Sequence, residues 1–134
     1  MISSRKVLQG GSARFDHKHK HEKTGIEVAV TKSAAPDGTS VALTSEVLGS
    51  KQPPKTDSKP WERGIYFDVK VTGIRDGTAR VCITNAAVES WSPMFYWDGK
   101  SWVVAVNHEV VQQTVCGDIP VSDLGRTPII IGTS

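Results

Sequence analysis

The chain has 134 residues, 38% of them hydrophobic and 22% charged, with a formal net charge of +2. That length suits one domain with a single core and is too short for an eight-fold βα barrel, which takes about 200 residues or more. The charge is too evenly balanced for a dedicated nucleic-acid binder, and no run approaches the ~20 apolar residues of a membrane helix.

The start, Met1-Ile2-Ser3-Ser4-Arg5-Lys6, lacks the apolar stretch of a signal peptide. Either the protein is cytosolic, or a leader or flanking domains precede this numbering. Residues 1–24 are expected to be a basic, His-rich N-terminal segment, flexible or exchanged between copies. Residues 25–134 are expected to be the folded domain. A first strand is predicted near 7–15. Next come His17, His19 and His21, alternating with Lys18 and Lys20. On an extended strand the three imidazoles would share one face at a spacing of roughly 6–7 Å, a geometry open to zinc, copper or nickel. Asp16 and Glu22 are the nearest further ligands. The competing reading is a solvated basic segment, since the interleaved lysines oppose cation binding. A divalent metal at this run is the cofactor the sequence suggests.

The following segments alternate apolar and polar residues in the two-residue period of half-buried strands. Ile26, Val28 and Val30 do so over 25–32, and Ile65, Phe67, Val69 and Val71 over 64–73. Further strands are predicted at 39–47, 78–85, 94–98, 101–106, 110–116 and 128–132. No helical stripe appears. Residues 48–63 read as a polar loop in which Pro53, Pro54 and Pro60 block ladder hydrogen bonds. It is either a binding loop carrying Trp61 or a crossover between sheets. Asp76-Gly77 and Asp98-Gly99 each predict a tight hairpin. Many short strands joined this way indicate an antiparallel sandwich or barrel.

Four tryptophans, Trp61, Trp91, Trp97 and Trp102, invite a carbohydrate-binding reading, because indoles offer large rigid surfaces with a polar edge. A two-residue turn at Asp98-Gly99 would oppose Phe95 and Trp102. It would put Phe95, Trp97, Lys100 and Trp102 on one face, with Phe95 and Trp102 in the core and Trp97 at its rim. Trp61 and Trp91 sit in loop-like settings. The ligand-binding candidates are Trp61, Trp91 and Trp97. Cys82 and Cys116 each lie in a strand pattern, without a CxxC pair. They read either as two separate buried thiols or, more sharply, as a disulfide joining two strands.

Residues 25–132 resemble the cysteine-paired immunoglobulin-like module of prokaryotic secreted and cell-surface proteins. The likeness rests on Val81-Cys82-Ile83, Tyr96-Trp97-Asp98-Gly99-Lys100-Ser101-Trp102 and Thr114-Val115-Cys116-Gly117. Ala35-Pro36-Asp37-Gly38-Thr39-Ser40-Val41 and the Pro53-Pro54 loop add to it. Residues 86–91 and the His-rich start depart from that module. The resemblance implies an all-β, antiparallel β-sandwich, immunoglobulin-like or jelly-roll-like, with one intradomain Cys82–Cys116 disulfide. It implies a place outside the cytoplasm, where such bonds persist.

No GxSxG elbow, triad spacing or carboxylate pair points to catalysis, so the protein is expected not to be an enzyme. The leading expectation is a structural or adhesion module of an extracellular protein or filament. Its partners would be other copies of itself or neighbouring surface-protein domains, joined by strand addition through a segment such as Val7–Phe15. Residues 1–63 carry 11 Lys and Arg against 7 Asp and Glu, and residues 64–134 carry 5 against 7, a polarity that favours head-to-tail contact. The alternatives are a glycan-binding module and a small metal-binding protein.

Overall fold

The computed structural model describes residues 2–8, 10–19, 22–32, 35–36, 38–50, 60–124 and 128–133. Among these described residues eleven strands run in chain order: β1 (Ile2–Leu8), β2 (Ser12–His19), β3 (Glu22–Lys32), β4 (Ser40–Gly49), β5 (Gly64–Thr72), β6 (Thr78–Asn85), β7 (Met94–Trp97), β8 (Trp102–Val104), β9 (Val106–Val111), β10 (Thr114–Pro120) and β11 (Ile129–Gly132). They form a six-stranded sheet, β1-β4-β5-β11-β7-β8, and a five-stranded sheet, β2-β3-β6-β10-β9. Every pairing is antiparallel. The two sheets pack face to face as a β-sandwich.

Alternation in the sequence decides which side chains meet between the sheets. On β3, Ile26, Val28 and Val30 are buried, and on β6, Ala79, Val81 and Ile83. Across from them lie Val41 and Leu43 of β4 and Phe67, Val69 and Val71 of β5, all in one apolar cluster. Burying a large aliphatic side chain stabilises by about 1.5–3 kcal/mol, so this layer outweighs any single surface contact.

Several connections differ from the sequence expectation. The strand expected at 7–15 is two strands, broken at Gly10 in the left-handed region (φ 88°). The Gly11 N–H donates to the Leu8 carbonyl (2.8 Å) and closes the turn. The chain then passes to the other sheet. Residues 7–8 pair with β4 and residues 12–15 with β3 of the same chain. The boundary expected after residue 24 therefore falls within β3, and the N-terminal strands belong to the sandwich. Asp76-Gly77 does not close a hairpin, because β5 and β6 lie in different sheets. Ile74 is buried within this connection, which bends it across the end of the core. The Asp98-Gly99 hairpin exists, with four turn residues instead of two: Trp97 pairs with Trp102. The Asp98 carboxylate accepts the Lys100 and Ser101 N–H groups (both 2.8 Å), which holds it below the usual carboxylate range.

Cys82 and Cys116 face each other directly across β6 and β10, Cα atoms 4.1 Å apart, and form a disulfide. Their neighbours Val81, Ile83 and Val115 point into the core. The bond therefore lies on the outer face of the five-stranded sheet and joins two strands of that one sheet. It closes a loop of sequence separation 34, which on chain-entropy grounds stabilises by roughly 3–4 kcal/mol. Replacing both cysteines by serine should lower the unfolding free energy by about that amount, read from urea midpoints. An unchanged midpoint would show that the crosslink contributes nothing.

Candidate functional site

The three tryptophans expected to contact a ligand do not stay together. Met94 and Tyr96 of β7 point into the core, so Phe95 and Trp97 point out of the sandwich. Trp97 is nevertheless only 6% exposed. It meets Trp102 edge-on at 5.4 Å between centroids, and Trp102 lies 6.1 Å from Tyr66. With Ile130, also buried, these rings make an apolar layer on the outer face of the six-stranded sheet. Phe95 and Trp102 are thus not core residues, and Trp97 belongs to this layer, not to an open contact surface. The two extra turn residues preserve parity, so Phe95, Trp97 and Trp102 still share one face.

Trp61 and Trp91, thirty positions apart, converge. Their rings stack with centroids 5.7 Å apart and planes 28° apart, and Phe95 lies 6.4 Å from Trp61. They remain 38% and 47% exposed. Each is seated for a local reason. Trp61 lies against Gly132, the last residue of β11. A Cβ there would come within 2.9 Å of Trp61 Cδ1 and 2.8 Å of Pro93 Cδ, so only glycine leaves room for the indole.

Trp91 stands on a loop held by its own hydrogen bonds. The Ala87 N–H donates to Asn85 Oδ1 (2.8 Å), the Val88 N–H to the Asn85 carbonyl (3.0 Å) and the Ser92 N–H to the Glu89 carbonyl (3.0 Å). The Glu89 N–H donates to Ser92 Oγ (2.8 Å). His108 Nε2 lies 2.7 Å from the Ser92 carbonyl, to which it donates. Val88 and Ser92 are buried beneath. Beside the indoles, Trp61, Glu62, Arg63 and Thr133 line an open depression of about 400 Å³. Neither Glu62 nor Arg63 makes an ion pair or side-chain hydrogen bond among the described residues.

The histidine run is placed differently. His17 lies on β2, turned toward the inter-sheet space. Its Nε2 is 2.9 Å from Oγ of the buried Ser45 on β4, so it bridges the two sheets. Burial lowers its pKa from the ordinary value, against the opposing pull of Asp16 and Glu46. His19 pairs through its backbone with Glu22; its side chain, and all of His21, lie outside the described residues. The flanking carboxylates have other partners: Asp16 meets Arg14 at 3.3 Å, and Glu22 accepts from Asn85 Nδ2 at 3.0 Å. On β10, Asp118 binds Arg80 (3.0 Å) and Asn107 (2.8 Å). No three metal-ligating side chains converge among the described residues. His17, Glu22 and Thr24 line, with Val47, Leu48 and Ile65, an inter-sheet cavity of about 520 Å³.

The Trp61–Trp91 contact was not legible in the sequence, which placed the two only in separate loops. Its one local signal is Gly132 closing an otherwise all-isoleucine strand.

Two expectations follow from this geometry. Gly132→Ala should displace Trp61, cost about 1–3 kcal/mol and shift tryptophan emission to the red; unaltered emission would refute the seating. His17 titrates lower in the fold than in the unfolded chain, so as pH falls the unfolded chain takes up the proton first. Stability therefore rises with pH across that window. Going from about pH 7.5 to about pH 5 should lower the urea midpoint more in the wild type than in His17→Gln. Parallel losses would remove His17 from the cause.

No protein-family model, no curated protein and no solved structure matches the chain.

Proposed function

We propose that this protein is a non-catalytic structural or adhesion module working outside the cytoplasm, and that its copies associate edge to edge. The observation that carries the reading is the contrast between its two lateral sides. Among the described residues both sheets end openly on each side: β1 and β2 form one, β8 and β9 the other. The β1/β2 side carries Arg5, Lys6, Arg14 and Lys18 against Asp16. The β8/β9 side has Glu109 as its one carboxylate and no lysine or arginine, and exposes Val104 (55%), Val106 (58%) and Val111 (58%).

Edge strands offer unpaired backbone groups, and cationic side chains blunt that offer. Two basic edges repel each other. A basic edge beside the valine edge meets no such repulsion and covers apolar surface. The bulge at Asn107 (φ 54°), opposite Cys116–Asp118, bends the start of β9. It leaves Glu109–Val111 in regular register, available for pairing. Contact between unlike edges is heterologous, and such contacts build open filaments unless rotation closes them. The donor here is a complete edge, since the N-terminal strands are already paired within their own chain.

The disulfide supports the compartment, because such bonds persist where thiols are not kept reduced. The resemblance of residues 25–132 to immunoglobulin-like modules of prokaryotic secreted proteins supports it further.

Sedimentation velocity over a concentration series tests the association. The wild type should form species that grow with concentration, whereas Val106→Lys with Val111→Lys should stay monomeric. A wild type that stays monomeric throughout, or a double variant that assembles as the wild type does, would overturn the reading.

A further inference from the structure

We propose that the Trp61–Trp91 pole is a carbohydrate-binding site that takes equatorially substituted pyranose units, such as those of β-1,4-linked glucan or chitin chains. Two indoles from distant segments stack at 5.7 Å and still expose 38% and 47% of their surface. Leaving two large aromatic groups in water forgoes burial that the fold takes elsewhere, as it does for Trp97. The loop beneath Trp91 is fixed by four internal hydrogen bonds and by His108. Its aromatic surface is therefore ordered before any ligand arrives, which lowers the entropy cost of binding.

The polar neighbours favour a sugar over a peptide. An equatorially substituted pyranose has C–H faces that stack on indole and a rim of hydroxyls that both donate and accept. Glu62 can accept from that rim and Arg63 can donate to it; both lie beside Trp61 without an ion-pair partner among the described residues. A peptide added as a strand would need free backbone groups. Here the Gly132 N–H is used by the Pro93 carbonyl and the Thr133 N–H by the Arg63 carbonyl (both 3.0 Å). The depression of about 400 Å³ is of the size of small-ligand sites. The Trp91 loop is tied to the edge strand β9 through His108 and the Ser92 carbonyl, whereas the stacked indoles lie against Phe95 and Gly132.

The test is titration of the full disulfide-bonded chain with cellohexaose and with chitohexaose, followed by tryptophan emission and calorimetry. At least one should bind and shift the emission to the blue. Trp91→Ala should weaken that binding by roughly tenfold or more, with unchanged far-ultraviolet circular dichroism. Trp91→Phe should retain most of the affinity, and Glu62→Gln and Arg63→Met should each weaken it several-fold. The Val106→Lys/Val111→Lys variant should bind as the wild type does, which separates this site from assembly. Binding by neither oligosaccharide, equal affinity in a folded Trp91→Ala, or capture of an apolar peptide with no sugar bound would each overturn the proposal.

Discussion

The structure depends on the insertion of β11 between β5 and β7. Ile129 and Ile131 fill the inter-sheet core, while Ile130 packs under the outer aromatic layer, so the strand is buried on both faces. Its pairing with β5 on one side and β7 on the other is what makes six strands into one sheet. Without it, the β7–β8 hairpin would have no partner in that sheet among the described residues, where β7 pairs only with β11 and β8. A strand of three isoleucines followed by glycine suits this position: two-sided burial asks for apolar residues at successive positions, and the glycine admits Trp61.

The same strand ties the core to the surface. Gly132 seats Trp61, Pro93 stands over it, and the loop preceding Pro93 carries Trp91. The aromatic pole is thus an extension of the core. The lateral sides depend on other forces. One carries four cations against a single acidic residue; the other has three exposed valines with a single acidic residue beside them. One small sandwich can therefore present two surfaces of different chemistry, and neither requires the fold to move.

Much of the fold was legible because half-buried strands announce themselves by period. Ile26, Val28 and Val30, and Phe67, Val69 and Val71, point where their alternation says. The opposed cysteines were legible for the same reason, since both sit at outward positions of inward-patterned strands. Turns made from ordinary residues were not. The β9–β10 turn at Gln112-Gln113 places Gln112 in the left-handed region (φ 54°) without a glycine or asparagine to signal it, so 110–116 read as one strand. Ala105 passes the chain between sheets with no punctuation, which merged β8 with the start of β9. Which strands share a sheet is a long-range matter that local sequence does not carry, and Asp76-Gly77 shows it: a good hairpin dipeptide spans two sheets. The site suffered in the same way. His17 looked like one of three equivalent ligands and instead bonds Ser45 across the sandwich. Trp61 and Trp91 looked independent and instead stack.

Residue-resolved hydrogen exchange of the β11 amides tests most directly whether this strand closes the six-stranded sheet. Protection at Ile129–Ile131 equal to that of central β6 strand amides such as Val81 and Ile83, limited only by global unfolding, is the expected result. Fast exchange there while β3 and β6 remain protected would contradict it, and with it the seating of the aromatic pole.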